Sequence, residues 1–353
     1  MLVNCYCSFA TAVLIVPRRR KQGNIHLFAT RLTTQVLTVI VYFYRCNMAK
    51  RISILIITYN RPADLLELLQ NISEQKDFDA VIEEILLLNN ASTDDYTPVT
   101  QFIKQHTELR IAYIDSPSNL GVARGRNRLL THAKGDIILS LDDDMVFTQP
   151  DDLLRLSTLF EEPYFREAHT GVITFRVLYY DNRQVQITAF PHKKYDQYKD
   201  KPQFLTAYFA GGAHIMLREA LNVTGLYPED FHYGMEEYDL SYRLLNAGYT
   251  IGYDNKVTVL HKESPLGRQP SFKKLQMQWI NKSKVAWRYL PFFYFATTAL
   301  SWGIQYMKEA KGHWGAFFSA IGQILAIPFT EKTQRISGAT LQYLKKVEAR
   351  LKY

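Results

Sequence analysis

Cysteine is nearly missing from this chain. Cys5, Cys7 and Cys46 are the only three in 353 residues, and none follows residue 46. The rest of the chain therefore has no disulfide framework, no thiol nucleophile and no zinc site built on cysteine, which fits a reducing compartment. A hydrophobic run long enough to span a bilayer is missing too. Residues 36–44 and the apolar stretch before them both fall short of the roughly 20 residues a spanning helix needs. Arg18, Arg19, Arg20 and Lys21 follow that first stretch instead of preceding it, the reverse of a signal peptide. Met48 stands just before the first convincing strand. Residues 1–47 are thus read as a dispensable upstream segment, with a weak membrane anchor as the alternative. The first strand is not followed by G-x-G-x-x-G, which argues against a dinucleotide-binding domain. No internal repeat, low-complexity tract or base-recognition motif occurs, so no nucleic-acid partner is expected.

What is present is a chain able to bury a real core, 47% apolar and 13% aromatic. Its charge is segregated. Residues 1–50 hold seven Lys or Arg and no acid, residues 51–261 hold 20 against 30 acids, and residues 262–353 hold 15 against 4. The three stretches carry +7, −10 and +11, within a net +8. An acidic middle can hold metal and move protons, and a basic aromatic end can sit on an anionic surface.

Strand and helix patterns alternate through the first half. Residues 52–57, 81–88, 111–114 and 137–141 are short apolar runs suited to buried parallel strands. Pro62 suits a first helical turn ahead of Leu65, Leu66, Leu68 and Leu69. Ser92 or Thr93 is placed to cap a helix running to about residue 106, and residues 119–133 read as another helix. Further on, residues 170–180, 185–189, 208–217 and 257–260 read as strands. Residues 152–160 and 236–248 read as helices, the latter stopped by Gly248, and from about residue 272 only helices are expected. The rhythm predicts an α/β fold: a mostly parallel sheet flanked by helices, with a C-terminal helical extension. In such sheets ligands bind beyond the carboxyl ends of the strands. The polar loops at 58–61, 89–94 and 142–144 should therefore meet at one edge.

Asp142-Asp143-Asp144 is the sharpest local feature. Three adjacent carboxylates repel one another, and a cation among them relieves the repulsion. Oxygen ligands of this kind suit Mg²⁺ or Mn²⁺, ions that commonly bridge to substrate phosphates. A metal there would stabilise a departing diphosphate. An attacking hydroxyl must lose a proton, and Glu236-Glu237-Tyr238-Asp239 offers carboxylates for that work at a helix start. Acids at such a position are also ordinary helix stabilisers.

In order and spacing these motifs resemble the family 2 glycosyltransferases, inverting bacterial-type enzymes of GT-A fold. The opening segment is Ile56-Ile57-Thr58-Tyr59-Asn60-Arg61 and the second loop Asn89-Asn90-Ala91-Ser92-Thr93-Asp94. Asn119-Leu120-Gly121-Val122-Ala123-Arg124-Gly125-Arg126-Asn127 precedes the D-x-D loop at Asp142 to Asp144, and Glu236-Glu237-Tyr238-Asp239-Leu240 closes the series. The resemblance covers about residues 50–265 and implies a nucleotide-diphosphate sugar donor and a saccharide or lipid-linked acceptor. By the resemblance, Thr58, Tyr59 and Arg61 would line the nucleotide pocket, with Asp94 and Arg126 near the nucleotide. Asn89 stands where the family has a base-contacting Asp. Gly211 and Gly212 join the donor site with Asp142 and Asp143, and Asp142, Asp144 and His261 would serve a metal, Mn²⁺ or Mg²⁺. Glu237 replaces the Asp of the family's Glu-Asp pair and is the expected base, with Glu236 and Asp239 as substitutes.

Processive synthases of this family add Gln-x-x-Arg-Trp, but Gln276-Met277-Gln278-Trp279 lacks the Arg, so a non-processive transferase of surface glycan or lipid-linked saccharide synthesis is expected. A sugar nucleotidyltransferase and an inactive membrane-associated scaffold are the alternatives. The expected domains are 48–265, catalytic, and 266–353, a basic aromatic extension. In the extension, the uncharged runs 290–307 and 314–328 lie between Lys282, Lys284, Arg288, Lys308, Lys311, Lys332 and Arg335. That pattern suits helices lying at an anionic bilayer surface, on the cytoplasmic face of the cell membrane.

Overall fold

The computed structural model describes residues 50–263, 271–310 and 312–351. Residues 1–47, with the expectation about where translation starts, and Lys311 lie outside the described residues.

The strands are β1 (Ile52–Thr58), β2 (Ile82–Asn89), β3 (Ile111–Asp115), β4 (Ile137–Asp142), β5 (Met145–Phe147), β6 (Thr170–Tyr179), β7 (Gln203–Thr206), β8 (Ala213–Leu217) and β9 (Thr250–His261). They form one sheet in the order β3-β2-β1-β4-β8-β6-β9-β5, with β7 also on β9. The run β3-β2-β1-β4 is parallel, as expected of strands joined by crossover helices. β8 runs antiparallel between β4 and β6, which makes the whole sheet mixed. β1, β2 and β4 are covered on both faces, so Ile54, Ile56, Leu87 and Leu139 are wholly buried, while the edge strand β3 is half-buried.

The named helices are α1 (Pro62–Ser73), α2 (Thr97–Gln105), α3 (Gly121–Leu130), α4 (Asp152–Thr158), α5 (Arg218–Thr224) and α6 (Glu236–Asn246). The C-terminal ones are α7 (Ser271–Tyr289), α8 (Phe292–Glu309), α9 (Trp314–Thr330) and α10 (Gly338–Lys346). In α1, Pro62 occupies the first turn, and Leu65, Leu68, Leu69 and Ile72 form the buried stripe at helical spacing.

Register explains where the site lies. Thr58 pairs with Asn89, Asn89 with Asp115, and Ile57 with Asp142. The carboxyl ends of four strands thus stop at one level, and the loops that follow share one edge. His261, far off in sequence, reaches that edge because β9 pairs with β5 and sets His261 opposite Met145.

Several local expectations change. Ser92 and Thr93 do not cap α2, which starts at Thr97. Both are taken by Asn60: Ser92 Oγ accepts the Asn60 N–H at 3.0 Å, and the Thr93 N–H donates to Asn60 Oδ1 at 2.8 Å. α3 starts at Gly121, where the Asn119 side chain accepts the Gly121 N–H at 2.9 Å. Residues 185–189 make one bridge, Val185 to Leu178, and then turn through an Ala189 N–H bond to the Gln186 carbonyl. Residues 208–212 stand outside β8.

The C-terminal helices are fastened to the sheet domain, and residues 49–353 form one unit. Arg288 of α7 binds Asp239 at 3.0 Å, Asp230 at 2.7 Å and Glu331 at 2.6 Å. Asn281 donates to the Tyr233 and Gly234 carbonyls, and Tyr343 of α10 to the Thr206 carbonyl. A second apolar core, with Trp279, Phe295, Tyr306 and Ile324, holds α7, α8 and α9 together.

Candidate active site

The loop after β4 gathers the acids. Asp144 is buried and faces His261, whose Nε2 lies 3.2 Å from Asp144 Oδ1. Ligand atoms of Asp142, Asp144 and His261 all lie within 4.8 Å of one another. Gln186 Oε1 sits 2.7 Å from His261 Nδ1, which turns Nε2 toward the acids. Burial works against a proton on His261, but Asp144 and Asp142 outweigh it and hold the imidazole above its ordinary value. Two carboxylates and an oriented imidazole thus form a set that a divalent cation fits.

Asp143 points the other way. Its Oδ1 pairs with Arg61 Nη1 at 3.0 Å, and Arg61 also reaches Asp144 Oδ2 at 3.2 Å. Burial pushes Asp143 up to about 7 against the pull of Arg61, and its Oδ2 has no hydrogen-bond partner. The loop is pinned from behind by the Lys262 N–H, which donates to the Asp144 carbonyl at 3.0 Å. Lys262 Nζ in turn binds Asp64 and Glu67 of α1.

Arg126 of α3 is the buried cation beside this loop. It lies 4.0 Å from Asp142, 3.3 Å from Glu236 and 3.1 Å from Glu237, and donates to the Gly211 carbonyl at 2.8 Å. Burial would lower its pKa, but Tyr227, Glu237, Glu236 and Asp142 raise it, so the guanidinium stays charged. Glu236 is buried, and burial together with Glu237 raises its pKa well above the carboxylate range. Gly211 and Gly212 are required by closeness: a Cβ on Gly211 would strike Glu237 Oε1, and one on Gly212 would strike the Asp142 carboxylate. The two glycines let the chain at 208–212 pass close to the acids before it enters β8.

Two clefts open from this centre. The first, about 320 Å³, is lined by Tyr59, Arg61, Asn90, Asn119, Arg126, Asp142 and His261. The second, about 510 Å³, is lined by Glu237, Gly211, Gly212, Tyr238 and Lys282 and shares Asp142 and His261 with the first. Carboxylates, an imidazole and a buried arginine at the junction of two clefts can serve a reaction that joins two substrates.

Comparison with known proteins identifies the chain. Residues 53–225 match the model of glycosyl transferase family 2. An uncharacterized protein of Haemophilus influenzae is 30% identical over 179 residues, a match covering 50% of this chain and 92% of that protein. The chain belongs to glycosyltransferase family 2. The uncharacterized glycosyltransferase YwdF of Bacillus subtilis is 34% identical over 125 residues, 35% of this chain and 44% of its own length. Among solved structures, GalNAc-T7 with UDP, GalNAc and Mn²⁺ aligns with TM-score 0.58 at 14% identity, covering 79% of this chain and 58% of that one. The mannosyltransferase PcManGT from Pyrobaculum calidifontis, with GDP-Man and Mn²⁺, aligns with TM-score 0.52 at 18% identity, covering 91% and 90%. Both neighbours support the GT-A fold.

In this family 2 glycosyltransferase the expected site residues do not all face the clefts. Tyr59, Arg61, Arg126, Asp142, Asp143, His261, Gly211, Gly212 and Glu237 line one or both. Thr58 is buried behind them, its hydroxyl 2.6 Å from Tyr96 OH. The Asn89 amide donates to Asp115 at 3.0 Å and accepts the Ser92 N–H at 3.0 Å, so it braces the loop. Its neighbour Asn90 faces the cleft instead and accepts the Leu120 N–H at 2.8 Å. Asp94 is exposed, and its N–H points to Asn60. Asp239 lies in the interface with α7, bound by Arg243, Arg288 and Tyr289. Sequence reasoning missed His232, Tyr233 and Lys274 in the first cleft. No local pattern marks them, because the fold of α7 against the loop before α6 brings them there.

Proposed function

We propose that this protein transfers a sugar, with inversion, from a nucleotide-diphosphate sugar in the first cleft to an acceptor hydroxyl in the second. The observation that carries the reading is the junction. Asp142 and His261 border both clefts, and of the three candidate bases only Glu237 lines the second. Mn²⁺ in the structures of GalNAc-T7 and PcManGT lends support to a metal at this site. Here Asp142, Asp144 and His261 would hold it, and one nitrogen among oxygens suits manganese better than magnesium. The ion would supply charge stabilisation for the departing diphosphate.

The chain's own groups do the rest. Arg61, tied to Asp143 and Asp144, fixes the loop beneath the diphosphate. Arg126 keeps Glu237 in place from the side, and Gly211 gives its carboxylate room. Glu237 takes the acceptor proton as the oxygen bonds the anomeric carbon and the bond from that carbon to the diphosphate oxygen breaks. Glu236, buried and held toward its neutral form, is the poorer base.

We also place the enzyme at a membrane surface, where a saccharide or lipid-linked acceptor would be met. Among the described residues no helix is long and apolar enough to cross a membrane. Instead, Phe292, Phe293, Leu300 and Met307 of α8, and Trp314, Phe318, Leu325 and Phe329 of α9, are exposed. Lys308, Lys332 and Arg335 are exposed nearby in sequence. Lys284 and Arg288 do not belong to that face, because Asp230, Asp239 and Glu331 hold them.

The testing experiment is turnover of a panel of nucleotide sugars with Mn²⁺ and with EDTA. At least one donor should be consumed in Mn²⁺ and spared in EDTA. Equal turnover in both, or none of any donor with metal and acceptor mixtures supplied, contradicts the proposal.

A further inference from the structure

The second cleft carries charge of both signs. Asp142 and Glu237 line it, and so do Lys282, Arg350 and Lys193, whose Nζ donates to the carbonyl of Ala349 beside Arg350 at 3.3 Å. Lys282 comes from α7, and Trp302 of α8 also lines the cleft. These residues lie beyond the 53–225 stretch common to the family. Lys282 is only 8% exposed. Its Nζ sits 3.9 Å from the centre of the Trp302 ring and 6.0 Å from that of Tyr238, and Tyr238 stacks on Tyr208 at 4.6 Å. Aromatic faces hold an ammonium by charge while its methylene stem packs against them. Arg350 is exposed, and so is Lys193.

We infer that Lys282 and Arg350, with Lys193 at the rim, form an anion subsite, so that the acceptor is a saccharide carrying a phosphate group. The inference rests on the reading of the second cleft as the acceptor's. A cleft wall with three basic side chains favours phosphate, which presents more charge and more acceptor oxygens than a carboxylate. Asp142 and Glu237 repel such a group. The phosphate therefore seats by the cations while an uncharged hydroxyl turns to Glu237. Burial and the Arg350 charge push Lys282 down to about 7. An arriving anion favours its charged form, so proton uptake should accompany binding near neutral pH.

The test is calorimetric binding to the full chain in EDTA, which removes any divalent cation that would draw the probes to the donor cleft. The probes are glycerol phosphate, its butyl phosphodiester and glycerate. The tighter ester is expected to bind Lys282→Met and Arg350→Gln at least tenfold more weakly than wild type. Arg350→Gln guards against misfolding, because the side chain is on the surface. Preference for the monoester points to a free phosphorylated saccharide, and preference for the diester to a lipid-linked phosphate. Equal affinity across wild type and both variants, or tighter binding of glycerate than of either ester, overturns the inference. Nucleotide-diphosphate affinity with Mn²⁺, measured on the same preparations, should not change between them. Its absence from wild type would defeat the donor reading and leave the subsite result standing.

Discussion

At the scale of single residues, three carboxylates that look alike in sequence have three environments. Glu237 lines the second cleft, Glu236 is buried beside Arg126 with Oε2 lacking a hydrogen-bond partner, and Asp239 is held by α7. Glu237→Gln should lower turnover by about 10²- to 10⁴-fold, the usual size of a general-base contribution, and leave donor affinity within a few-fold. Steady-state kinetics beside donor calorimetry separates the two. Near-normal turnover in Glu237→Gln with a dead Glu236→Gln would move the base to Glu236. A residue in the next layer carries a pH effect. Burial, and after it the Arg126 charge, push His214 down to about 3, so it stays neutral in the folded protein. The unfolded chain takes up that proton below about pH 6.5. Stability from this source is whole above pH 6.5 and falls as pH drops toward 3, by about 1.4 kcal/mol per pH unit. His214→Gln should flatten the pH dependence of urea unfolding between pH 6.5 and 5, and an unchanged slope would contradict the assignment.

At the scale of elements, the fold positions the site through register and close approach. Gly212 lies so near Asp142 that a methyl group must displace the carboxylate or the backbone. Gly212→Ala should therefore cost metal-dependent activity far more than melting temperature, and equal loss of both would mean that the glycine serves folding alone. Arg288 bridges α7 to Asp239, Asp230 and Glu331. Arg288→Met leaves the buried Asp239 with less positive charge and should destabilise by about 3 kcal/mol. Adding Asp239→Asn should recover part of that loss, and strict additivity of the two would refute the coupling. The same scale explains what could be read in advance. Parallel strands buried on both faces write themselves as apolar runs, so β1, β2 and β4 were legible almost to the residue, and the half-buried edge strand β3 was legible too. The D-x-D loop was legible because it follows such a run directly. Residues 185–189 look like a strand, yet after a single bridge they turn at Gln186. Asn89 stands at the family's base-contacting position by the motif resemblance, but its amide is used inside the loop, and Asn90 takes the cleft. Asn60 takes the two hydroxyl residues that local propensity gives to a helix cap. Each departure comes from a tertiary partner that no local window contains.

At the scale of the whole molecule, α8 and α9 expose large apolar side chains, Phe293, Leu300, Phe318 and Phe329 among them, and these are the faces proposed to meet a membrane surface. Flotation with anionic liposomes should carry the wild type, and carry less of it in high salt, since lysine and arginine at such a surface contribute about 1 kcal/mol each. Phe318→Ser with Phe329→Ser should reduce flotation without moving the melting temperature, because both rings are exposed. Unchanged flotation would leave these faces to another partner. Asp142, Asp144 and His261 at the junction of the two clefts are proposed to hold the metal, and calorimetry of a nucleoside diphosphate with and without Mn²⁺, on wild type and Asp144→Asn, tests this most directly. Binding that requires Mn²⁺ and weakens at least tenfold in Asp144→Asn is the predicted result. Equally tight binding in EDTA, or by Asp144→Asn with metal present, would contradict it.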